Sequence, residues 1–240
     1  MKIVELTGVL KSQELSVTKA ISGVIVCFSG LFDDLLNEKI SIYIERANGS
    51  NIVLANKILL KDFILNSTYG GEAIQSDATF GVIAVCELAL DGGIFLQEKE
   101  EIKMNFEDLR APNTYALYGV ESPVSTNLAF NFEQKSVALQ DVNKKIDVKG
   151  NDLAIMTLDA SVSDISMYFE NGQVIKYLPF ELRALSVDVD PIQYIKPDGT
   201  VSQVLQGRLS LPLVHVDYIE VNKDQTAIVN FVVRTLKDLS

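Results

Sequence analysis

Apolar and polar positions alternate with a period of two along most of this chain. Residues 39–46 are the clearest case: Ile40, Ile42 and Ile44 fall on one side, Ser41, Tyr43 and Glu45 on the other. That is the signature of a half-buried strand. Asn48-Gly49 follows, a dipeptide suited to the left-handed backbone of a tight hairpin turn, with both residues expected at positive φ. Ile52-Val53-Leu54 reads as the return strand. Continuous apolar runs at 21–28 and 80–90 predict buried strands. Further strands are expected at 94–96, 102–106, 124–132, 136–140, 153–160, 165–170, 174–177, 205–216, 218–221 and 227–235. Two stretches shift toward a helical period, 57–65 and 179–185. The second opens on Pro179, a residue favoured at a first helical position. Residues 31–38 read as a loop or single helical turn, 66–71 as a break, and 1–18 as a strand or an arm.

The first hairpin has a counterpart. Ile165-Ser166-Met167-Tyr168-Phe169-Glu170 is followed by Asn171-Gly172, matching Ile40-Ser41-Ile42-Tyr43-Ile44-Glu45 and, after Arg46-Ala47, Asn48-Gly49. The offset from Ile40 to Ile165 is 125 residues, and it also pairs Asn105-Phe106 with Asn230-Phe231. Self-similarity at a domain-sized period indicates duplication. Pro112, Gly119 and Pro123 mark 111–123 as the connector. The expected organisation is therefore a first domain at 1–122 with an N-terminal arm, and a second at 123–240. Short strands, few helices and Gly/Asn/Asp turns predict an all-β fold. The expectation is two tandem eight-stranded jelly-roll β-sandwiches with short helices, a double jelly roll.

Composition narrows the function. The chain has 240 residues, 48% of them hydrophobic and 22% charged, which is enough apolar surface for packed cores. Its formal net charge is −11, and Lys144-Lys145 is its densest basic pair. Binding to a phosphate backbone needs clustered cations, so direct nucleic-acid contact is not expected. Cys27 and Cys86 sit in apolar runs and are expected to be buried and reduced. No apolar run approaches the ~20 residues of a membrane span. The N-terminus lacks a signal-peptide pattern, which predicts synthesis in the cytoplasm.

Candidate chemistry is sparse. The single histidine, His215, is expected on a strand, and no Gly-x-Ser-x-Gly elbow accompanies it. Asp188-Val189-Asp190 could offer oxygens to calcium, but reads better as a solvated strand end. Asn48-Gly49-Ser50 and Asn66-Ser67-Thr68 match the glycosylation sequon and read as turns. Gly70-Gly71 and Gly92-Gly93 lack the Lys-Ser/Thr of a phosphate loop. With no Trp in the chain, Tyr43, Tyr115, Tyr118 and Tyr168 are what remains for stacking on a sugar. No catalytic, cofactor-binding or metal-ligating residue is assigned, and no cofactor is expected.

A strand, an Asn-Gly turn, a return strand and a short helix, once per half, resembles the double jelly-roll major capsid proteins of icosahedral viruses with an internal membrane. The small versions from tailless phages of the corticovirus and finnlakevirus type are the most similar. The residues carrying the resemblance are 40–65 and 165–185. It implies a structural virion protein, made in the host cytoplasm and not an enzyme. It would form a homotrimeric, pseudo-hexameric capsomer beside neighbouring capsomers, penton and minor capsid proteins. Contact with the internal lipid membrane would be peripheral. A carbohydrate-binding or adhesive β-sandwich, such as a phage fibre or surface adhesin, is the alternative reading.

Overall fold

The structure is a computed structural model. It describes all residues except 69–72, 158, 190–192 and 204–207, and in addition leaves the side chains of 185–189 and 202–203 undescribed. The chain divides into two compact units. The first comprises 1–132, 192–204 and 236–240, the second 133–191 and 205–235. These bounds differ from a simple cut at 122/123, because two later segments belong to the first unit.

The strands of the first unit are β1 (Lys2–Thr7), β2 (Leu15–Val17), β3 (Ile21–Phe28), β4 (Lys39–Glu45), β5 (Asn51–Leu59), β6 (Val82–Glu87), β7 (Gly93–Ile94), β8 (Glu101–Glu107), β9 (Thr114–Glu121) and β10 (Ser125–Thr126). A 3-10 turn covers Phe32–Asp34, and helix α1 covers Leu60–Ser67. β11 (Leu128–Val137) begins in this unit and continues into the second. The second unit adds β12 (Asn143–Asp147), β13 (Leu153–Thr157), β14 (Val162–Phe169), β15 (Val174–Tyr177) and helix α2 (Pro179–Val189). The hairpin β16 (Gln193–Ile195) and β17 (Val201–Gln203) returns to the first unit. β18 (Arg208–Pro212), β19 (Val216–Lys223) and β20 (Val229–Asp238) then close the chain.

In the first unit the sheets run β1-β9-β3-β6 and β2-β8-β4-β5; in the second they run β11-β20-β13-β18 and β12-β19-β14-β15. If the eight sandwich strands of each unit are counted in chain order, both read 1-8-3-6 and 2-7-4-5. The same eight-stranded sandwich is therefore built twice.

Burial explains each sandwich. Ile40, Ile42 and Ile44 of β4 are fully buried, as are Phe28 and Phe63, and buried Phe106 pairs with Ile40 across the ladder, so large apolar side chains are kept from water. The Phe63 and Phe132 rings meet edge to face at 5.1 Å, and Phe28 stacks on Tyr115 at 5.1 Å. The second core is assembled the same way around Ile165, Met167, Ile219, Val221 and Phe231.

Several expectations change. Residues 111–123 are not a connector: β9 runs through them and pairs with both β1 and β3. Gly119 lies close against Ile21, where a Cβ would come within 3.0 Å of Cγ2, and its backbone pairs with Met1. The Met1 amine donates to the Gly119 carbonyl at 2.6 Å, and the Gly119 N–H returns a bond to the Met1 carbonyl at 2.8 Å. The N-terminal segment is accordingly not an arm, since β1 is an edge strand of the first sandwich. Residues 57–59 finish β5 instead of starting a helix. Positive φ at Lys57 and two register shifts against β4 mark bulges, and these break the period that suggested helix. Residues 205–216 are not one strand, because His215 carries a positive φ in a turn between β18 and β19. The strands expected at 124–132 and 136–140 become short β10 and one continuous β11.

Candidate functional site

The repeated hairpins are the most sharply encoded local feature. In the first, the Arg46 N–H donates to the Ser50 carbonyl at 2.8 Å, and the Gly49 N–H donates to the Arg46 carbonyl at 2.8 Å. In the second, Phe169 N–H reaches the Gln173 carbonyl at 2.9 Å, and Gly172 N–H the Phe169 carbonyl at 2.9 Å. Only the glycines have positive φ, +81° at Gly49 and +82° at Gly172. The asparagines do not share it, which corrects the expectation of two left-handed residues. Each loop is a three-residue connection ending in a left-handed glycine. Its Asn side chain accepts from the backbone N–H two residues on, at 2.9 Å in both hairpins. The third instance, Pro197-Asp198-Gly199, has the same bonds with Asp198 as acceptor.

The outward faces of the hairpin sheets carry charge ladders centred on a tyrosine each. In the first unit the Tyr43 hydroxyl donates to Glu14, a hydrogen bond that pushes the phenol up to about 12. Beside it Lys103 contacts Glu101 at 2.7 Å, Glu45 at 3.4 Å and Ser16 Oγ at 2.8 Å. In the second unit the Tyr168 hydroxyl donates to Glu220 at 2.9 Å, and Lys145 Nζ sits 3.7 Å from the ring centroid. Lys176 and Asn222 share Asp164 at 2.9 and 2.6 Å. Lys145 and Lys176 lie on the edge strands β12 and β15, where charge resists uncontrolled sheet extension.

Other sequence candidates disperse. Tyr115 is buried, its hydroxyl held by Glu38 at 3.0 Å, so it is not a surface platform. Tyr43 and Tyr168 are tied down as described, and Tyr118 lies on β9. His215 is exposed in its turn, with Nδ1 3.2 Å from Glu170 Oε2. It is not on a strand as expected, and no nucleophile is placed against it by a hydrogen bond among the described residues. Cys27 and Cys86 are free and buried on neighbouring strands. They are out of register, since Cys27 pairs with Ile83 and Cys86 with Val24. Burial pushes the Cys27 thiol up to about 11 and that of Cys86 to about 12.

Asn66 lies buried in α1, so the second sequon match is helical and not a turn. Asp188 and Val189 fall in α2, which corrects the strand-end reading; their side chains, Asp190 and Gly70-Gly71 lie outside the described residues. No group of His, Cys, Asp and Glu among the described residues is arranged to hold a metal ion. No described helix is long and apolar enough to cross a membrane.

Several concavities occur among the described residues. A cleft of about 630 Å³ in the first unit is lined by Arg46, Ser50, Phe95, Glu100, Asn127 and Leu239. Arg46 is committed there to Glu100 at 2.7 Å and to the Leu239 carbonyl at 2.5 Å. In the second unit Met167, Phe169, Tyr177, Leu182 and Leu211 line an apolar pocket of about 210 Å³ beside α2. Sequence reasoning missed both, because each is assembled from residues distant along the chain.

The fold finds parallels among solved structures. The major capsid protein P2 of bacteriophage PM2 matches with a TM-score of 0.59 at 10% identity, over 100% of this chain and 95% of that one. The fold is a double jelly roll. A chain from the atomic structure of Sulfolobus Turreted Icosahedral Virus matches with a TM-score of 0.53 at 9% identity, over 99% of this chain and 89% of that one. No family model and no curated protein matches the sequence. At such identities the double jelly roll is shared as a backbone arrangement while nearly every side chain differs.

Proposed function

We propose that this chain is a structural protein of a viral capsid. The observation that carries the reading is the repeat of one eight-stranded order twice over the chain, matched end to end by a major capsid protein. Two similar blocks in one polypeptide suit a shell. A homotrimer would present six similar blocks using threefold symmetry alone, each contact reusing one heterologous interface. Such a pseudo-hexameric capsomer would tile an icosahedral shell beside penton and minor capsid proteins. The net charge of −11 supports a shell wrapped around an internal membrane. A lipid layer separates an acidic protein from packaged nucleic acid, whose charge would otherwise repel it. The role is architectural, and no reaction is assigned to the chain.

Native mass measurement followed by electron microscopy of particles tests the reading. Trimers that co-purify with closed shells support it. A strictly monomeric protein at high concentration, retained on a glycan column, would instead make it an adhesive sandwich.

A further inference from the structure

The hairpin β16–β17 lies between α2 and β18 in sequence, yet every described contact it makes belongs to the first unit. It brackets Ile74: the Ile74 N–H donates to the Gln193 carbonyl at 2.8 Å, and the Ile195 N–H donates to the Ile74 carbonyl at 2.9 Å. Ser76 Oγ donates to the Ile195 carbonyl at 2.7 Å. Between these bonds Tyr194 is buried, its ring 6.1 Å from Phe32 and its hydroxyl donating to the Gly81 carbonyl at 2.8 Å. That hydroxyl lands where two chain segments already touch, for a Cβ on Gly81 would lie 2.4 Å from the Gly30 carbonyl oxygen. The bracketed segment is itself tied to the sandwich. Gln75 and Ile83 exchange backbone hydrogen bonds at 2.9 and 2.7 Å, and Ile83 lies in β6.

A second late segment does the same elsewhere in the first unit. Leu239 is buried, its N–H donates to the Asn127 carbonyl at 2.8 Å, and its carbonyl accepts from Arg46.

We propose that β16–β17 is a strap that completes the first jelly roll from the far side of the chain. The 74–76 segment and the edge strand β6 reach native stability only when Tyr194 is docked. The physical reason is connectivity. Residues 73–81 carry little regular structure of their own; apart from the turn that Asp77 closes on Thr79 and Phe80, their hydrogen bonds go to β6 or to the hairpin. A segment with few buried contacts opens locally at low cost unless something covers it. The first jelly roll is thus not finished until residues made about half a chain later have arrived. This inference stands apart from the capsid reading and would survive its loss.

Hydrogen exchange on the full-length chain tests it, with Tyr194→Ala removing the ring and Tyr194→Phe removing only the hydroxyl. Expected for Tyr194→Ala is exchange at least about tenfold faster at Ile74, Gln75, Ile83 and Ile195, the factor of a lost interaction of about 1.4 kcal/mol. Tyr194→Phe should accelerate the same four amides by less. Ile165 and Val221, paired in the second unit, should be unchanged. If Tyr194→Ala does not fold, Ser76→Ala, which removes the bond to Ile195, gives the same pattern at smaller amplitude. Acceleration confined to Ile195, with Gln75 and Ile83 still protected, would overturn the proposal, as would no acceleration at all.

Discussion

Glu38 offers the sharpest test of how the first jelly roll is held together. Its side chain is 2% exposed, and its two carboxylate oxygens accept four hydrogen bonds. Leu36 N–H at 2.9 Å and Asn37 N–H at 3.1 Å reach Oε2; Arg110 Nε at 2.8 Å and the Tyr115 hydroxyl at 3.0 Å reach Oε1. The Glu38 carbonyl also accepts from Leu60 N–H at 2.7 Å, so this residue sits where β4 and the start of α1 converge. Burial alone would push the carboxyl up, but the backbone bonds, Arg110 and Tyr115 outweigh it and hold it below its ordinary 4.5. Glu38→Gln keeps the shape and leaves one acceptor oxygen. Whichever way the amide points, an NH₂ then faces two donors. Losing two charge-assisted bonds would cost about 3–6 kcal/mol if both were dry. Arg110 is 41% exposed, so its share is screened to well under that of a buried partner. A net loss of about 2–4 kcal/mol follows, or a melting temperature lower by roughly 4–16 °C for a chain of this size.

The sign with pH is fixed by the direction of the shift. A carboxylate lowered in the folded state contributes stability above its unfolded value, and that contribution is lost as pH falls through the folded value. Thermal melts of both proteins at pH 7 and at steps below pH 4.5 should therefore show a gap that is full near neutrality and closes on acidification. A gap under about 1 kcal/mol at pH 7, or one that stays constant into acid, would refute the assignment.

Three further predictions follow from the same structure. Gly172→Val places a β-branched residue at a φ of +82°, and should destabilise by about 1–2 kcal/mol in a denaturant melt; a neutral result would contradict the turn. The thiols of Cys27 and Cys86 should resist alkylation in the native protein at pH 8 and react at once when it is unfolded, because burial depletes the thiolate. A two-dalton mass deficit under non-reducing, denaturing conditions would reveal a disulfide and refute that reading. Deleting Lys2–Thr7 should unfold or strongly destabilise the first jelly roll, since β9 loses its pairing partner on one side; a truncated protein with an unchanged melting temperature would restore the idea of a free arm.

The hairpins were legible in the sequence because everything specifying them is local. One face is buried, the alternation is strict, and Asn-Gly closes the loop within three residues. The strand β1 was legible only as one of two readings, and β9 and β12 were not legible, each for a different reason. β1 is an edge strand with a mixed face. β9 carries Gly119 in mid-strand, which reads as a break until its close approach to Ile21 is seen. β12 is Asn-Lys-Lys-Ile-Asp, with Ile146 alone pointing inward, as suits a charged edge. The docking of Tyr194 on Phe32 had no signal at all, because burial of one aromatic 162 positions from its partner leaves no periodic trace.

The duplication itself needed the structure to be read correctly. Ile40 and Ile165 do occupy corresponding strands, fourth of eight in each unit. Asn105-Phe106 and Asn230-Phe231 do not. The first pair lies in β8, the seventh strand, and the second in β20, the eighth, so their common offset is a coincidence. Pairing identifies the true counterpart: Ile40 faces Phe106 across the ladder, whereas Ile165 faces Val221. An inward position has kept its apolar character while its volume has changed from a phenyl ring to an isopropyl group. Neighbouring core residues must then differ as well, because an interior packed near crystal density does not accept a lone change of that size. The helices after the hairpins have diverged in the same way. All eight residues of α1 are buried, whereas α2 leaves Phe180 exposed and lends Leu182 to the lining of an apolar pocket. Strand order survives such repacking because sheet hydrogen bonds are made by the backbone, which is why one architecture persists in both halves with a single hairpin still legible in the sequence.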